Sequence, residues 1–317
     1  MNVGHVASLH GRARAFAMTI TTPDSEHRGL AQMLPARVRG LALLARFDRP
    51  IGWWLLFWPG AWAVALAGEA VARWGLVVLI LIGAIAMRGA GCVYNDIVDR
   101  DLDAKVARTA ARPIPAGLVS VRGAWAWLVA LSLVGLVVLV QLRPLAAIVA
   151  LASLAPVAAY PFMKRITWWP QAWLGLVFSW AALVGWAEAA GDLSAPMRWL
   201  YAGSIAWVIG YDTIYACQDR EDDALIGVRS SALALGGHVR GGVAGFYVGA
   251  VVLWGAAIWS VRPDPLALAA LAPAAVHLGW QAATLRPADG AGTLARFRAN
   301  RFTGLLLFLG FLVVGAS

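Results

Sequence analysis

The sequence predicts an all-α membrane protein, a polytopic bundle of about nine transmembrane helices. Three observations lead to that class. Hydrophobic residues make up 61% of the 317 residues and charged ones only 14%, and the mean hydropathy is +0.70. Apolar runs near the ~20 residues a helix needs to cross a bilayer recur at 51–69, 75–95, 123–141, 144–162, 169–188, 197–217, 241–260, 266–284 and 303–316. Basic residues gather in alternate connections between those runs, as happens when loops sort to the two sides of a membrane.

The net charge of +9 is therefore read as topology rather than as a nucleic-acid surface, since no soluble basic domain remains to carry one. Of 26 Lys and Arg, seven lie before the first span, fourteen in the even-numbered loops and four in the odd-numbered ones. The positive-inside rule then puts the N-terminus in the cytoplasm, and nine crossings put the C-terminus outside. A bacterial inner membrane is the expected location, with a mitochondrial inner membrane as the alternative. The two cysteines, Cys92 and Cys217, sit at embedded or cytoplasmic helix ends with no metal-ligand spacing, and read as reduced packing residues.

Taken in order, residues 1–40 form a polar tail expected to be disordered and cytoplasmic, and 41–317 form the transmembrane domain. The Arg-rich, acid-poor start faintly resembles a transit peptide, and translation from Met18 is an equal reading. Arg46-Phe47-Asp48-Arg49-Pro50-Ile51-Gly52 leads into the first span, whose Trp53, Trp54, Trp58 and Trp62 read as an interfacial aromatic belt. Arg46 either snorkels or points inward toward an anionic substrate. Arg88, seven residues before Asn95, lies inside a span, where a charge is costly; it serves a buried carboxylate or an anion.

The second span ends in Asn95-Asp96-Ile97-Val98-Asp99-Arg100-Asp101-Leu102-Asp103. Asn95, Asp96, Asp99 and Asp103 fall on one face if the helix continues. Clustered carboxylates repel and lose solvation at a membrane boundary, so they need positive charge among them. Hard oxygen donors on an acidic face suit Mg²⁺, which normally shares itself with a substrate's phosphates. The following loop supplies Lys105, Arg108 and Arg112, with Pro113-Ile114-Pro115-Ala116-Gly117 stiffening the turn beyond. Arg112 is only nine residues from Asp103, close enough for acid and base to face one anion pocket.

Lys164 and Arg165 end the fourth span as a topological anchor or a phosphate contact. Phe178, Ser179 and Trp180 in the fifth span could face an apolar or aromatic substrate, although helix packing explains them as well. The acidic pattern then recurs as Asp212, Tyr215, Asp219 and Asp223, spaced three, four and four, with Arg229 shortly after. Nine of the 17 acidic residues fall in these two stretches, and their placement four helices apart suggests an internal duplication that converges two acidic faces on a central cavity. Asp101, Glu221 and Asp222 point off the stripes. His277 in the eighth span reads as hydrogen-bonded structure, and Phe297, Asn300 and Gly304 as packing and capping of the last span.

These motifs resemble the UbiA superfamily of intramembrane aromatic prenyltransferases. The resemblance runs from about Arg46 to the C-terminus. It is carried by Met87-Arg88-Gly89-Ala90-Gly91-Cys92 leading into Asn95-Asp96-x-x-Asp99-x-x-x-Asp103, by Arg112-Pro113-Ile114-Pro115-Ala116-Gly117, and by Asp219-x-x-x-Asp223. The Tyr211-Asp212-Thr213-x-Tyr215-Ala216 stretch and the Arg-x-Asp-x-Pro-x-Gly entry resemble the branch that prenylates 4-hydroxybenzoate. Ala107 departs from that branch, which usually has a lysine there; Arg108 and Lys105 are the candidates to replace the contact.

The resemblance implies that Asn95, Asp99, Asp103, Asp219 and Asp223 hold two Mg²⁺ bridging a polyprenyl diphosphate. Arg88, Arg112 and Lys164 would neutralise the leaving diphosphate, and Arg108, Ser179, Tyr215 and Arg229 are further substrate-binding candidates. Arg46 is a candidate for the acceptor's carboxylate, and Asp96 or Asp212 for orienting or deprotonating it. The implied reaction prenylates the ring carbon ortho to the hydroxyl of 4-hydroxybenzoate, for ubiquinone biosynthesis, in contact with membrane lipid and with no nucleic-acid partner. Other acceptors (haem, a chlorophyllide, homogentisate, a naphthoate) remain alternatives, as does a divalent-cation or phosphate transporter using the same acidic faces.

Overall fold

A backbone in hydrocarbon has to satisfy its N–H and C=O groups internally, and this chain does so with helices. The computed structural model describes residues 25–26, 33–104, 109–220, 225 and 227–316, and every element among them is helical. In order they are α1 (Ala36–Leu44), α2 (Ile51–Leu66), α3 (Trp74–Asp103), α4 (Val121–Leu139), α5 (Pro144–Ala152), α6 (Leu154–Ile166), α7 (Pro170–Ala189), α8 (Ala195–Ala216), α9 (Ser231–Leu235), α10 (Val239–Val261), α11 (Ala272–Thr284) and α12 (Gly290–Ala316). Short 3₁₀ turns follow α8 at Cys217–Asp219, precede α10 at Gly236–His238 and precede α11 at Ala267–Leu271.

All nine expected apolar runs are helical, but among the described residues only six helical segments are long and apolar enough to cross a membrane. The difference has physical causes. α2 has 16 residues, about 24 Å of helix against a hydrocarbon thickness of ~30 Å. The 266–284 run is divided between a 3₁₀ turn and the 13 residues of α11. α8 is long enough, but Arg198, Ser204, Tyr201, Tyr211 and Asp212 dilute its hydropathy. The 144–162 run is interrupted at Ser153, whose hydroxyl bonds back to the Ala150 carbonyl at 2.6 Å, a local competitor of the helix ladder, yet Pro144–Ile166 remains one of the six segments.

The described residues form two compact units. One comprises the residues through Gly52 and Met87–Leu133; the other comprises Trp53–Ala86 and the residues from Val134 onward. In the first unit, Leu44, Ala45, Val93, Ile97, Val119 and Ala124 form a buried core with Phe47 and Trp127 against it. In the second, α8 packs between α7 and α10, with α12 against α8 and α11. Its centre is aromatic: the Trp62 and Trp207 rings lie 4.9 Å apart, with Trp254 5.4 Å from Trp62.

A buried polar network ties that second core together. Trp207 Nε1 donates to Asn300 Oδ1 at 2.8 Å, and Asn300 Nδ2 and the Tyr247 hydroxyl both donate to Gln281 Oε1. Gln281 Nε2 donates to Thr303, which also bonds His277 at 2.8 Å, so His277 is hydrogen-bonded structure, as the sequence indicates. Asn300 is the hub of the network rather than a helix cap. Both cysteines are buried and free.

Candidate active site

α3 explains how charge reaches the end of an apolar helix. Its 30 residues span about 45 Å, so its last ten or so extend beyond a ~30 Å hydrocarbon layer. Those residues carry the first acidic row. Asp96, Asp99 and Asp103 are buried, Asn95 is half-buried, and Asp101 is exposed. The helix thus continues, and the carboxylates share its inner face, as the spacing requires.

Arg46 meets this row through an unusual backbone. α1 ends in a Schellman motif: Phe47 N–H bonds the Ala42 carbonyl at 2.9 Å and Arg46 N–H bonds the Leu43 carbonyl at 3.1 Å. The motif's left-handed position usually holds glycine; here it is Arg46, at φ 59°. The strain is offset by the side chain, whose Nη2 reaches both oxygens of Asp96 at 2.9 Å while Nη1 donates to the Leu43 carbonyl. Burial by itself lowers the Arg46 pKa, but Asp96, Cys92 and Asp48 together outweigh it and hold the guanidinium above its usual value.

Arg112 closes the arrangement. It donates to Asp103 Oδ2 at 2.7 Å and to Asp96 Oδ1 at 3.2 Å. The turn that carries it is bolted to the helix end, since the Thr109 hydroxyl bonds the Asp103 carbonyl at 2.9 Å. Gly117 ends the turn at φ 73°, a conformation that favours glycine. Deeper along α3, the Arg88 guanidinium contacts Cys92 Sγ and lies against the backbone of Gly52, where an added Cβ would come within 2.8 Å of its Nε. Burial holds the Asp103 carboxyl above the usual carboxylate range; Arg112 offsets part of this, and the negative neighbours Asp96 and Asp99 add to it.

The second acidic stretch belongs to the other unit and differs from expectation in one respect. The α-helix stops at Ala216 and tightens into a 3₁₀ turn through Asp219. Three residues at 3.0 rather than 3.6 per turn rotate Asp219 by roughly 60° from a continuous helix, leaving it about 40° from Asp212. Asp212, Tyr215 and Asp219 are all half-buried. Phe297 packs against both Tyr215, at 4.6 Å between centroids, and Tyr211, at 5.8 Å, so it supports the site and is more than an entry to the last span.

Other expected contacts have structural partners. Arg229 donates to the Ile166 carbonyl at 2.8 Å and lies 5.4 Å over Trp168. Its backbone N–H reaches the Lys164 carbonyl at 3.4 Å, in the last turn of α6. Ser179 is fully buried on α7, with no hydrogen bond to its hydroxyl among the described residues. Arg108 and Asp223 lie outside the described residues.

Several supporting residues had no signal in the sequence. Buried Thr213 bonds the Ser231 hydroxyl at 2.7 Å, and Ser231 N–H bonds Gln171 Oε1 at 2.9 Å, fastening the start of α9 to α8 and α7. Asp48, the acidic residue of the Arg-x-Asp-x-Pro-x-Gly entry, is buried beside Arg49. Isolated hydroxyls and amides in apolar helices show no periodicity that reveals which distant group they bond.

Among the described residues no three His, Cys, Asp or Glu side chains converge as a ready-made metal cage. The donors nonetheless fit Mg²⁺, which takes one or two carboxylates and leaves its other positions to water and phosphate.

Comparison with known proteins decides the family. Residues 56–313 match the model of the UbiA prenyltransferase family. The chain belongs to that family. A mitochondrial 4-hydroxybenzoate polyprenyltransferase of Arabidopsis thaliana is 40% identical over 90% of this chain and 70% of its own length. One from Rattus norvegicus is 42% identical over 84% and 72%, and 4-hydroxybenzoate geranyltransferase 2 of Lithospermum erythrorhizon is 39% identical over 88% and 92%. The mitochondrial names run against the bacterial inner membrane expected from the sequence.

Among solved structures, an apo UbiA homologue from Aeropyrum pernix superposes with a TM-score of 0.69 at 26% identity, covering 82% of this chain and 97% of that one. A homologue from Archaeoglobus fulgidus bound to GPP and Mg²⁺ gives 0.64 at 16% identity, covering 88% and 100%, and supports the fold. Apolar helices and family together make this chain an integral-membrane prenyltransferase.

Proposed function

We propose that this UbiA-family enzyme transfers a polyprenyl group from its diphosphate to the ring carbon ortho to the hydroxyl of 4-hydroxybenzoate, in ubiquinone biosynthesis and with Mg²⁺. The observation that carries the reading is the buried carboxylate row of α3, braced by Arg46 and Arg112 at the end of a membrane-crossing helix. The names of relatives about 40% identical support the acceptor. The basic even-numbered loops support a cytoplasmic N-terminus.

Asn95, Asp99 and Asp103, with Asp219 and Asp223, are the residues that would hold the metal. When bound, Mg²⁺ supplies charge stabilisation to the departing diphosphate. The chain's own groups do the rest. Arg88, Arg112 and Lys164, with Arg108 as a further candidate, attract the diphosphate and stabilise negative charge as the allylic C–O bond breaks and the electron pair leaves with oxygen. Surrounding apolar helices keep water from the allylic cation. The ring carbon then forms the new C–C bond, and the ring loses its proton to a base.

Asp96 accepts from two arginines, so we assign it the positioning of Arg46 and Arg112 and assign the base role to Asp212. Arg46 engages Asp96 through one nitrogen rather than a two-nitrogen fork, which leaves N–H groups for the acceptor's carboxylate. Asp99→Asn and Asp219→Asn, each purified in neutral-lipid nanodiscs, test the reading. Turnover is expected to drop by about a hundredfold or more with Tm within a few degrees of wild type. Unchanged turnover in either variant overturns the assigned metal ligands.

A further inference from the structure

A second charged site lies at the junction of α11 and α12. Asp289 caps α12, its Oδ1 accepting from Gly292 N–H at 2.9 Å. Around that junction is a cavity of about 450 Å³ lined by Arg240, Arg286, Arg296, Thr284 and Asp289. Arg296 is held rigidly: Nε and Nη2 donate to the Thr284 hydroxyl and carbonyl at 3.1 and 2.6 Å, and Nη1 donates to the Gly292 carbonyl at 2.8 Å. Arg240 and Arg286 are exposed and make no ion pair or side-chain hydrogen bond among the described residues. Three arginines thus line a cavity with one carboxylate, and that carboxylate is engaged with the helix end. Like charges gathered in this way favour an anion among them.

The surroundings indicate which kind. The outward face of α11 is apolar and open, with Val276 73% and Trp280 48% exposed, and it ends at Thr284 on the cavity rim. Arg296 lies 5.9 Å over the Trp280 ring. A lipid-facing stripe capped by an interfacial tryptophan therefore runs into a basic cavity, which matches an amphiphile with apolar chains and an anionic head. We propose that Arg240, Arg286 and Arg296 bind the phosphate of an anionic phospholipid whose acyl chains lie along Val276 and Trp280.

Native mass spectrometry of the full chain in neutral detergent tests this, with phosphatidylglycerol, phosphatidylcholine and inorganic phosphate as separate arms. Phosphatidylglycerol is expected to be retained roughly tenfold better than phosphatidylcholine. Arg240→Gln with Arg286→Gln should abolish that preference, while Arg240→Lys with Arg286→Lys keeps most of it. Prenyl transfer by the glutamine variant in neutral vesicles is expected to match wild type, which confirms that the fold survives. Retention of phosphatidylglycerol by the glutamine variant at the wild-type level overturns the proposal. So does displacement of the lipid by millimolar inorganic phosphate, which would mark a site for soluble anions.

Discussion

Arg46 joins backbone strain to electrostatics at one position. Its left-handed conformation costs of order 1 kcal/mol or more, and its side chain shares with Arg112 the neutralisation of Asp96, a carboxylate 1% exposed. Arg46→Ala keeps the strain and removes the ion pair, so it should destabilise the protein by about 3 kcal/mol. Removing Asp96 as well recovers part of that loss, because the cost comes from the unpaired charge. A double-mutant cycle in thermal unfolding measures it; fully additive losses would contradict the coupling. Gly52 gives a second prediction. The Cβ of Gly52→Ala would meet Arg88 Nε at 2.8 Å, so the guanidinium must move. KM for the diphosphate donor is expected to rise by about tenfold, the scale of one charge-assisted hydrogen bond, with little change in Tm. An unchanged KM would remove Arg88 from the donor site.

Elements decide which residues can act together. α3 could be read almost completely from sequence because it stays α-helical past the apolar layer, so the i, i+3 and i+7 spacing of Asp96, Asp99 and Asp103 predicts the buried row. The Arg112–Asp103 pair was legible too, the two being nine residues apart with a stiff turn between them. The Arg46–Asp96 pair spans 50 residues, and periodicity says nothing about such contacts. The second acidic stretch was legible as chemistry but not as geometry: hydropathy does not show where an α-helix tightens to 3₁₀ at Cys217. Nor does it show the break at Ser153. Asn300 reads from sequence as packing and capping because a single amide near a helix start looks like a cap, and its buried partners Trp207 and Gln281 lie far away in the chain. Asn300→Leu would strand Trp207 Nε1 and a Gln281 lone pair in the core, at a cost of roughly 2–3 kcal/mol. Thermal unfolding should register that loss while donor KM stays within about twofold of wild type. A stability equal to wild type would show that the network carries no net energy.

At the scale of the molecule, composition settled the class and alternate-loop charge the expected topology, both being averages over many residues. The number of spans is less clear from sequence, because helices such as α2 and α11 are shorter than a bilayer is thick and depend on neighbours for burial. Each unit carries one acidic stretch, and in the proposed function both serve a single magnesium-dependent prenyl transfer. Mass spectrometry and NMR of the product formed from geranyl diphosphate and an acceptor panel, with Mg²⁺ or with EDTA, test that claim most directly. One product is expected, 4-hydroxybenzoate geranylated ortho to its hydroxyl, formed with Mg²⁺ and absent with EDTA. Product from only another acceptor, or equal product in EDTA, would contradict it.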